Sequence, residues 1–326
     1  MTRRRFLLMS LSGAVAVPLG AGAQQPGRVY RVAILHLTSA TPPVGAFRSA
    51  LRELGWVEGQ TLAVDFRSAE GQAERLEVLA AELAASQPDV IVTGTSGAAV
   101  AAKRATATIP IVMAVSVDPV GLGVVQSLAR PGANITGQAI LSPELSTKRL
   151  ELLNEALPRV GRVAILWNAA AGRPAVERHL AVSQDAARTL GIQLFPVEVA
   201  GAEALDTAFR DATRVRAGAI VTVQSALFQS LNGRLARLAL NHRVPVLSSE
   251  SGFAEAGGLM NYGDDIDQAW RRAAVQVDRI LKGASPADLP VEQPTKFQLV
   301  INLKTARTLG LMIPSALLLR ADQIIE

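Results

Sequence analysis

The chain has 326 residues, 49% of them hydrophobic and 19% charged, and a length above roughly 250–300 residues favours more than one core. It has no cysteine, which excludes disulfides, thiolate metal sites, a cysteine nucleophile and a lipidated N-terminal cysteine. The formal charge of +5 invites a nucleic-acid reading until its source is located: Arg3, Arg4 and Arg5 supply three of the positives, leaving 30 basic against 28 acidic residues, and no acidic residue precedes Glu53.

Residues 1–23 read as an export signal. The arginines form a basic head, an apolar stretch runs from Phe6 to Leu19, and Ala21-Gly22-Ala23 fits a small-residue cleavage site. The stretch is shorter than the roughly 20 residues that span a bilayer, which favours cleavage near Ala23 over a retained anchor. Thr2-Arg3-Arg4-Arg5-Phe6-Leu7 resembles the twin-arginine signal; an ordinary secretory signal is the other reading. Either way the mature chain lies outside the cytoplasm, and without a lipid anchor it is expected in a periplasm.

From Val29 the sequence alternates strands with helices. Val29–Leu37 is a continuous apolar run, predicted as a buried strand, and Val44–Leu54 has helical spacing that Gly55 stops. Strands follow at Leu62–Phe66, Val90–Thr93, Ile109–Val117 and Ile135–Ala139, with helices at Ala73–Ala85, Ala98–Ala105 and Val120–Leu128. The rhythm restarts after Leu141-Ser142-Pro143 with a helix over Glu144–Leu157. Strands are predicted at Arg162–Trp167, Ile192–Val199, Ala219–Val223, Val244–Leu247 and Gly258–Tyr262. The helices between and after them are Pro174–Leu190, Leu205–Arg214, Leu227–His242 and the long amphipathic Asp264–Leu281. Such alternation implies an α/β fold with parallel sheets wound on both faces. Two rounds imply two doubly wound parallel-sheet lobes around a hinged cleft.

Enzyme signatures fail. There is no Gly-Lys pair for a phosphate loop, and the three histidines, His36, His179 and His242, are far apart and form no H-E-x-x-H motif. Gly94-Thr95-Ser96-Gly97-Ala98 lacks the last glycine of a nucleophile elbow, and Gly121-Leu122-Gly123 lacks the third glycine of a dinucleotide fingerprint. No catalytic residue, metal site or cofactor is expected.

Position carries what motif does not, because open parallel sheets bind ligands at the carboxyl ends of their strands. In the first round those ends are Thr38-Ser39, Thr95-Ser96 and Asp118. In the second they are Trp167-Asn168, Gln224-Ser225 and Ser248-Ser249-Glu250. Thr95 and Ser96 are the most informative. They open a helix among glycines, so free N–H groups and two hydroxyls make an anion site suited to a carboxylate, and simple helix capping is the competing role. Capping is the favoured role for Thr38, Ser39 and Ser248. Asp118 is either the cap of its own helix or an acceptor for a ligand ammonium. Trp167 and Tyr262 could stack on a flat ligand, Trp270 falls on the buried side of its helix, and Glu250 is a candidate for pairing an amine.

Asp118–Gly137 and Gly283–Val300, with Asn302–Leu311, Ile313-Pro314 and Gly257–Gly263, resemble the ABC-transporter substrate-binding proteins that bind tryptophan and other aromatic amino acids. The likeness covers nearly all of the mature chain. It implies the type I periplasmic-binding fold, with lobe 1 at residues 24–141 plus 263–290 and lobe 2 at 142–262 plus 291–326. It further implies a monomer that hands a small-molecule ligand to an ABC permease in the inner membrane, with no nucleic acid and no cofactor. The expected ligand bears a carboxylate: an aromatic or branched amino acid, or a small organic acid. Amino-acid binders of this kind tend to carry an aspartate near Gln224-Ser225, which this chain lacks. A ligand sensor reporting to a membrane receptor has the same fold and is the alternative; an exported hydrolase is the weaker one.

Overall fold

The structure, a computed structural model, describes residues 28–39, 41–140, 143–169, 173–294 and 296–326. The export signal and Leu141-Ser142 lie outside the described residues.

The first round builds one sheet. Its strands are β1 (Tyr30–His36), β2 (Leu62–Ser68), β3 (Val90–Thr93), β4 (Ile111–Val117) and β5 (Ile135–Ile140). They lie in the order β2-β1-β3-β4-β5, all parallel. β3, β4 and β5 and the second half of β1 are almost wholly buried, as expected of apolar-rich strands covered on both faces. β2, at the edge, has only Leu62 buried and otherwise alternates exposed with half-buried residues. Helices α1 (Thr41–Glu53), α2 (Arg75–Ala85) and α3 (Ser96–Ala105) connect these strands.

The second round builds the other sheet. Helices α4 (Pro143–Ala156), α5 (Arg173–Thr189), α6 (Leu205–Arg214), α7 (Ala226–Ser230) and α8 (Asn232–Asn241) alternate with β6 (Arg162–Trp167), β7 (Gln193–Glu198), β8 (Ala219–Thr222) and β9 (Val246–Ser248). The chain continues through β10 (Met260–Asp264), α9 (Ile266–Leu281), β11 (Phe297–Asn302), α10 (Leu303–Thr308), α11 (Ser315–Leu318) and β12 (Gln323–Ile325). The strand order is β12-β11-β10-β9-β8-β6-β7, with β10 and β11 antiparallel and the other pairs parallel. Pro196 sits in edge strand β7, where a missing N–H costs no second ladder.

Each sheet has an apolar cluster on either side, so both are doubly wound. α9 leaves the second sheet and packs on the first, where Ile266, Trp270, Ala273 and Val277 join the cluster under α1. Trp270 meets Phe47 edge-on at 5.8 Å. The chain then runs beside β5, where Val291 N–H donates to Leu128 O (2.8 Å) and Glu292 N–H to Gly137 O (2.9 Å). It returns to the second sheet as β11. The main chain thus passes between the two sheets three times.

Two predicted elements differ. Val120–Leu128 is not a helix but a series of turns. Asp118 is left-handed at φ +46° and Gly123 at φ +70°. Asp118 Oδ1 accepts from Gly121 N–H (3.0 Å) and its carbonyl from Leu122 N–H (3.0 Å). The local side-chain bond therefore closes a tight turn where a helix would need the backbone to continue. Leu227–His242 is broken at Leu231 into α7 and α8. Gln229 Nε2 (3.1 Å) and Asn232 Nδ2 (2.9 Å), on either side of the break, both donate to Ser251 O.

Candidate functional site

The ends of both sheets face one cavity of about 750 Å³. From the first sheet come the tips of β1 and β4 and the turn from β3 into α3; from the second come the tips of β8 and β9, and the opening turn of α9 closes one side.

At the first sheet, Thr95 is extended and caps α3, its Oγ1 accepting from Ala98 N–H (3.2 Å). Ser96 Oγ accepts from Val117 N–H (2.8 Å), stitching α3 to the end of β4. The N–H groups of Ser96 and Gly97 belong to the first helical turn and have no acceptor within the helix. Ser96 and Gly97 line the cavity with Thr95. His36, at the tip of β1, is 7% exposed. Burial lowers its pKa to about 4, so it is neutral near neutral pH. Its Nδ1 lies 2.8 Å from Thr38 O and 3.0 Å from Thr38 N. Trp270 lies beside it at 6.1 Å between ring centroids. Gly94 completes this floor: a Cβ there would fall 1.9 Å from His36 Cδ2 and 2.8 Å from Trp270 Cζ2. Only glycine lets the two rings approach the backbone this closely.

At the second sheet, Ser225 caps α7 through Phe228 N–H (3.2 Å) and donates its own N–H to Glu250 Oε1 (2.8 Å). Ser249 Oγ donates to the same oxygen (3.0 Å). Glu250 is 2% exposed, and burial raises its pKa to about 7 against the pull of these bonds and of Arg149. Arg149, buried itself, donates Nε to Tyr262 O (2.8 Å). Asp264 is buried too; neither of its carboxylate oxygens has a partner at hydrogen-bond geometry, and burial raises it to about 6 although Arg149 and the Gln224 amide favour its charge. Glu250, Glu255, Asp265 and Asp267 line the cavity, and no lysine or arginine does so among the described residues. No group of three or more His, Cys, Asp and Glu is placed to hold a metal ion among the described residues.

Of the residues singled out from sequence, Thr38, Ser39, Thr95, Ser96, Ser225 and Glu250 line this cavity, whereas Asp118, Trp167, Asn168 and Tyr262 do not. Asp118 caps its turn and pairs with Arg178 (2.7 Å). Trp167 packs against the core under the second sheet. Asn168 Nδ2 donates to Val199 O (2.6 Å), tying the end of β6 to its neighbour. Tyr262 lies within β10, its ring 6.2 Å from Phe297. Sequence reasoning missed His36 among the cavity-lining residues. His36 sits two residues before Thr38 and three before Ser39, the tip residues named on β1, and the strand-end rule could have found it. Trp270 was assigned to the core; it is 1% exposed and also lines the cavity.

A model of the family described as ABC transporter substrate binding protein matches residues 32–325. A tyrosine-binding protein from Clostridioides difficile is 25% identical over 271 residues, 83% of this chain and 77% of that protein. Among solved structures, a conserved domain protein from Vibrio cholerae is 29% identical with a TM-score of 0.83, over 91% of this chain and 100% of that one. An ABC domain from Streptococcus pneumonia in complex with L-Trp is 25% identical with a TM-score of 0.82 over the same shares. A glucose-galactose binding protein from Geobacillus stearothermophilus shares the fold alone, at 13% identity and a TM-score of 0.62 over 84% and 98% of the two chains. With a two-sheet architecture like that of the type I periplasmic binding proteins, the chain belongs to the ABC transporter substrate-binding protein family, a family of solute-binding proteins and not of enzymes.

Proposed function

We propose that the protein captures a small carboxylate-bearing solute between its two halves and delivers it to the permease of an ABC importer. The observation that carries this reading is the single cavity built from both sheets. The first-sheet wall offers the N–H groups of Ser96 and Gly97 and the Thr95 hydroxyl, donors for a carboxylate. Leu37, Pro43, Val115, Ile140 and Trp270 supply apolar lining for the ligand's body. Glu250 and Asp267, across and beside them, suit an ammonium. Those carboxylates, with no lysine or arginine lining the cavity, favour an amino acid over a plain organic acid. The tyrosine-binding relative and the L-Trp complex support an aromatic one.

Closure of the halves traps the ligand, and capture needs a ligand that favours the closed state. The two moving parts are residues up to 141 with 265–292, and 142–264 with 293–326. The backbone bonds of Val291 and Glu292 to the first sheet, and the place of Asp264 in β10, support these limits. The mature chain works in the periplasm after cleavage near Ala23; the sequence of residues 1–23 supports this.

Mass spectrometry of small molecules released on denaturing freshly purified protein tests the reading. One amino acid near equimolar amounts is the expected result. A sugar or a nucleotide in its place would sink it.

A further inference from the structure

Asp118 and Arg178 make an ion pair that joins the two halves. Asp118 follows β4 on the first sheet, next to the cavity-lining Val117, and Arg178 projects from α5 on the second. Arg178 Nη1 lies 2.7 Å from Asp118 Oδ2. The other ion pairs among the described residues lie within one half or the other.

The aspartate is built into place. Its backbone is held left-handed at φ +46°, a conformation that costs free energy for any residue but glycine and is least costly for Asn and Asp. Its Oδ1 is fixed by Gly121 N–H at 3.0 Å. A Cβ at position 121 would come within 2.3 Å of Oδ2, so Gly121 leaves room for the oxygen that meets Arg178. The side chain of Asp118 is 18% exposed, while that of Arg178 is 53% exposed. One partner is thus preset and shielded, and the other is a long arm that can reach or release it.

We infer that Asp118 and Arg178 form an electrostatic latch that favours the closed arrangement of the two halves independently of ligand contacts. The latch rests on the reading that the halves open and close. Neither residue lines the cavity, so the pair acts on closure and not on recognition.

The test uses the full chain without ligand. The protein has no cysteine, so two can be introduced for spin labels: at Val78 on α2 and Arg237 on α8, both exposed. These helices face each other across the cleft, since Leu76 and Asn232 line the cavity from either side. Distance distributions are measured in the labelled parent, Asp118→Asn, Arg178→Gln and the double variant. Asn keeps the acceptor for Gly121 N–H and tolerates the left-handed backbone, so the turn survives. Each single variant should lower the closed-to-open ratio by about 2- to 5-fold, the range of a partly exposed ion pair. The double variant should lower it no further, and 1 M salt should act on the parent alone. Two populations whose ratio neither variant moves would overturn the latch and leave closure standing. A single distribution in every ligand-free sample would overturn the latch and leave ligand-driven closure standing; a parent distribution that also stays unmoved with saturating L-tryptophan and with saturating L-tyrosine would count against closure itself.

Discussion

Gly94 and Glu250 show how the site depends on single atoms. Gly94→Ala puts a methyl group into the space of His36 and Trp270. Overpacking of this kind costs about 1–3 kcal/mol, so the variant should melt several degrees lower and bind its ligand less tightly. Circular dichroism melting and titration read both effects, and a variant with unchanged melting and affinity would contradict the packing described for the floor. Glu250 makes a pH prediction whose sign follows from burial. Its pKa rises from 4.5 unfolded to about 7 folded, so the stability it contributes is present below about 4.5 and is lost as pH rises through about 7. Asp264, raised to about 6, acts in the same direction. His36 acts oppositely: lowered from 6.5 to about 4, its contribution is present above 6.5 and is lost as pH falls through about 4. Wild type therefore mixes opposed slopes, and Glu250→Gln separates them. In urea unfolding of ligand-free protein, its stability gain over wild type should grow between pH 4.5 and 7 and then level off. A difference that is flat with pH would contradict the burial assigned to Glu250.

At the scale of elements, most of the fold was legible because each signal was local. Val90–Thr93, Arg162–Trp167 and Leu205–Arg214 were bounded by sequence alone, the strands by unbroken apolar runs and the helix by its apolar spacing. The helix predicted over Val120–Leu128 failed because its apolar spacing is overridden by the Asp118 side chain and a left-handed Gly123. The break at Leu231 depends on Ser251, twenty residues on, and no window around the helix contains it. The same division holds in the site. Thr95, Ser96, Ser225 and Glu250 were legible as strand-end residues, whereas the cavity role of Trp270 required knowing that α9 crosses to the first sheet. That crossing begins at Asp265, which caps α9 through Gln268 N–H (3.0 Å) and accepts from Gln298 Nε2 (3.1 Å) on β11. Asp265→Ala should cost about 1 kcal/mol from the lost cap, read as a lower urea midpoint with an unchanged slope. An unchanged midpoint would mean the cap carries no weight there.

For the whole molecule, the two doubly wound sheets matter because their carboxyl ends meet. Neither half closes the cavity alone: donors for a carboxylate lie on one, Glu250 on the other, and Trp270 on a helix that the chain inserts between its passes. The sequence showed two rounds of strands and helices, but not the passage of residues 265–292 back to the first sheet, which only the family resemblance implied. The near balance of charge beyond Arg3, Arg4 and Arg5 suits a carrier of a zwitterion, and within the cavity the balance tips to acidic. The central claim is that this cavity holds an amino acid by both its charged ends. Calorimetric titration of ligand-free protein with L-tryptophan and L-tyrosine, each beside its carboxamide and its des-amino acid, tests it most directly. One-to-one binding of at least one amino acid is expected. Both of its analogues should be weaker by about 10-fold or more, the scale of a lost charge-assisted hydrogen bond. Binding of the des-amino acid as tight as that of the parent, or of none of the six compounds, would contradict the account.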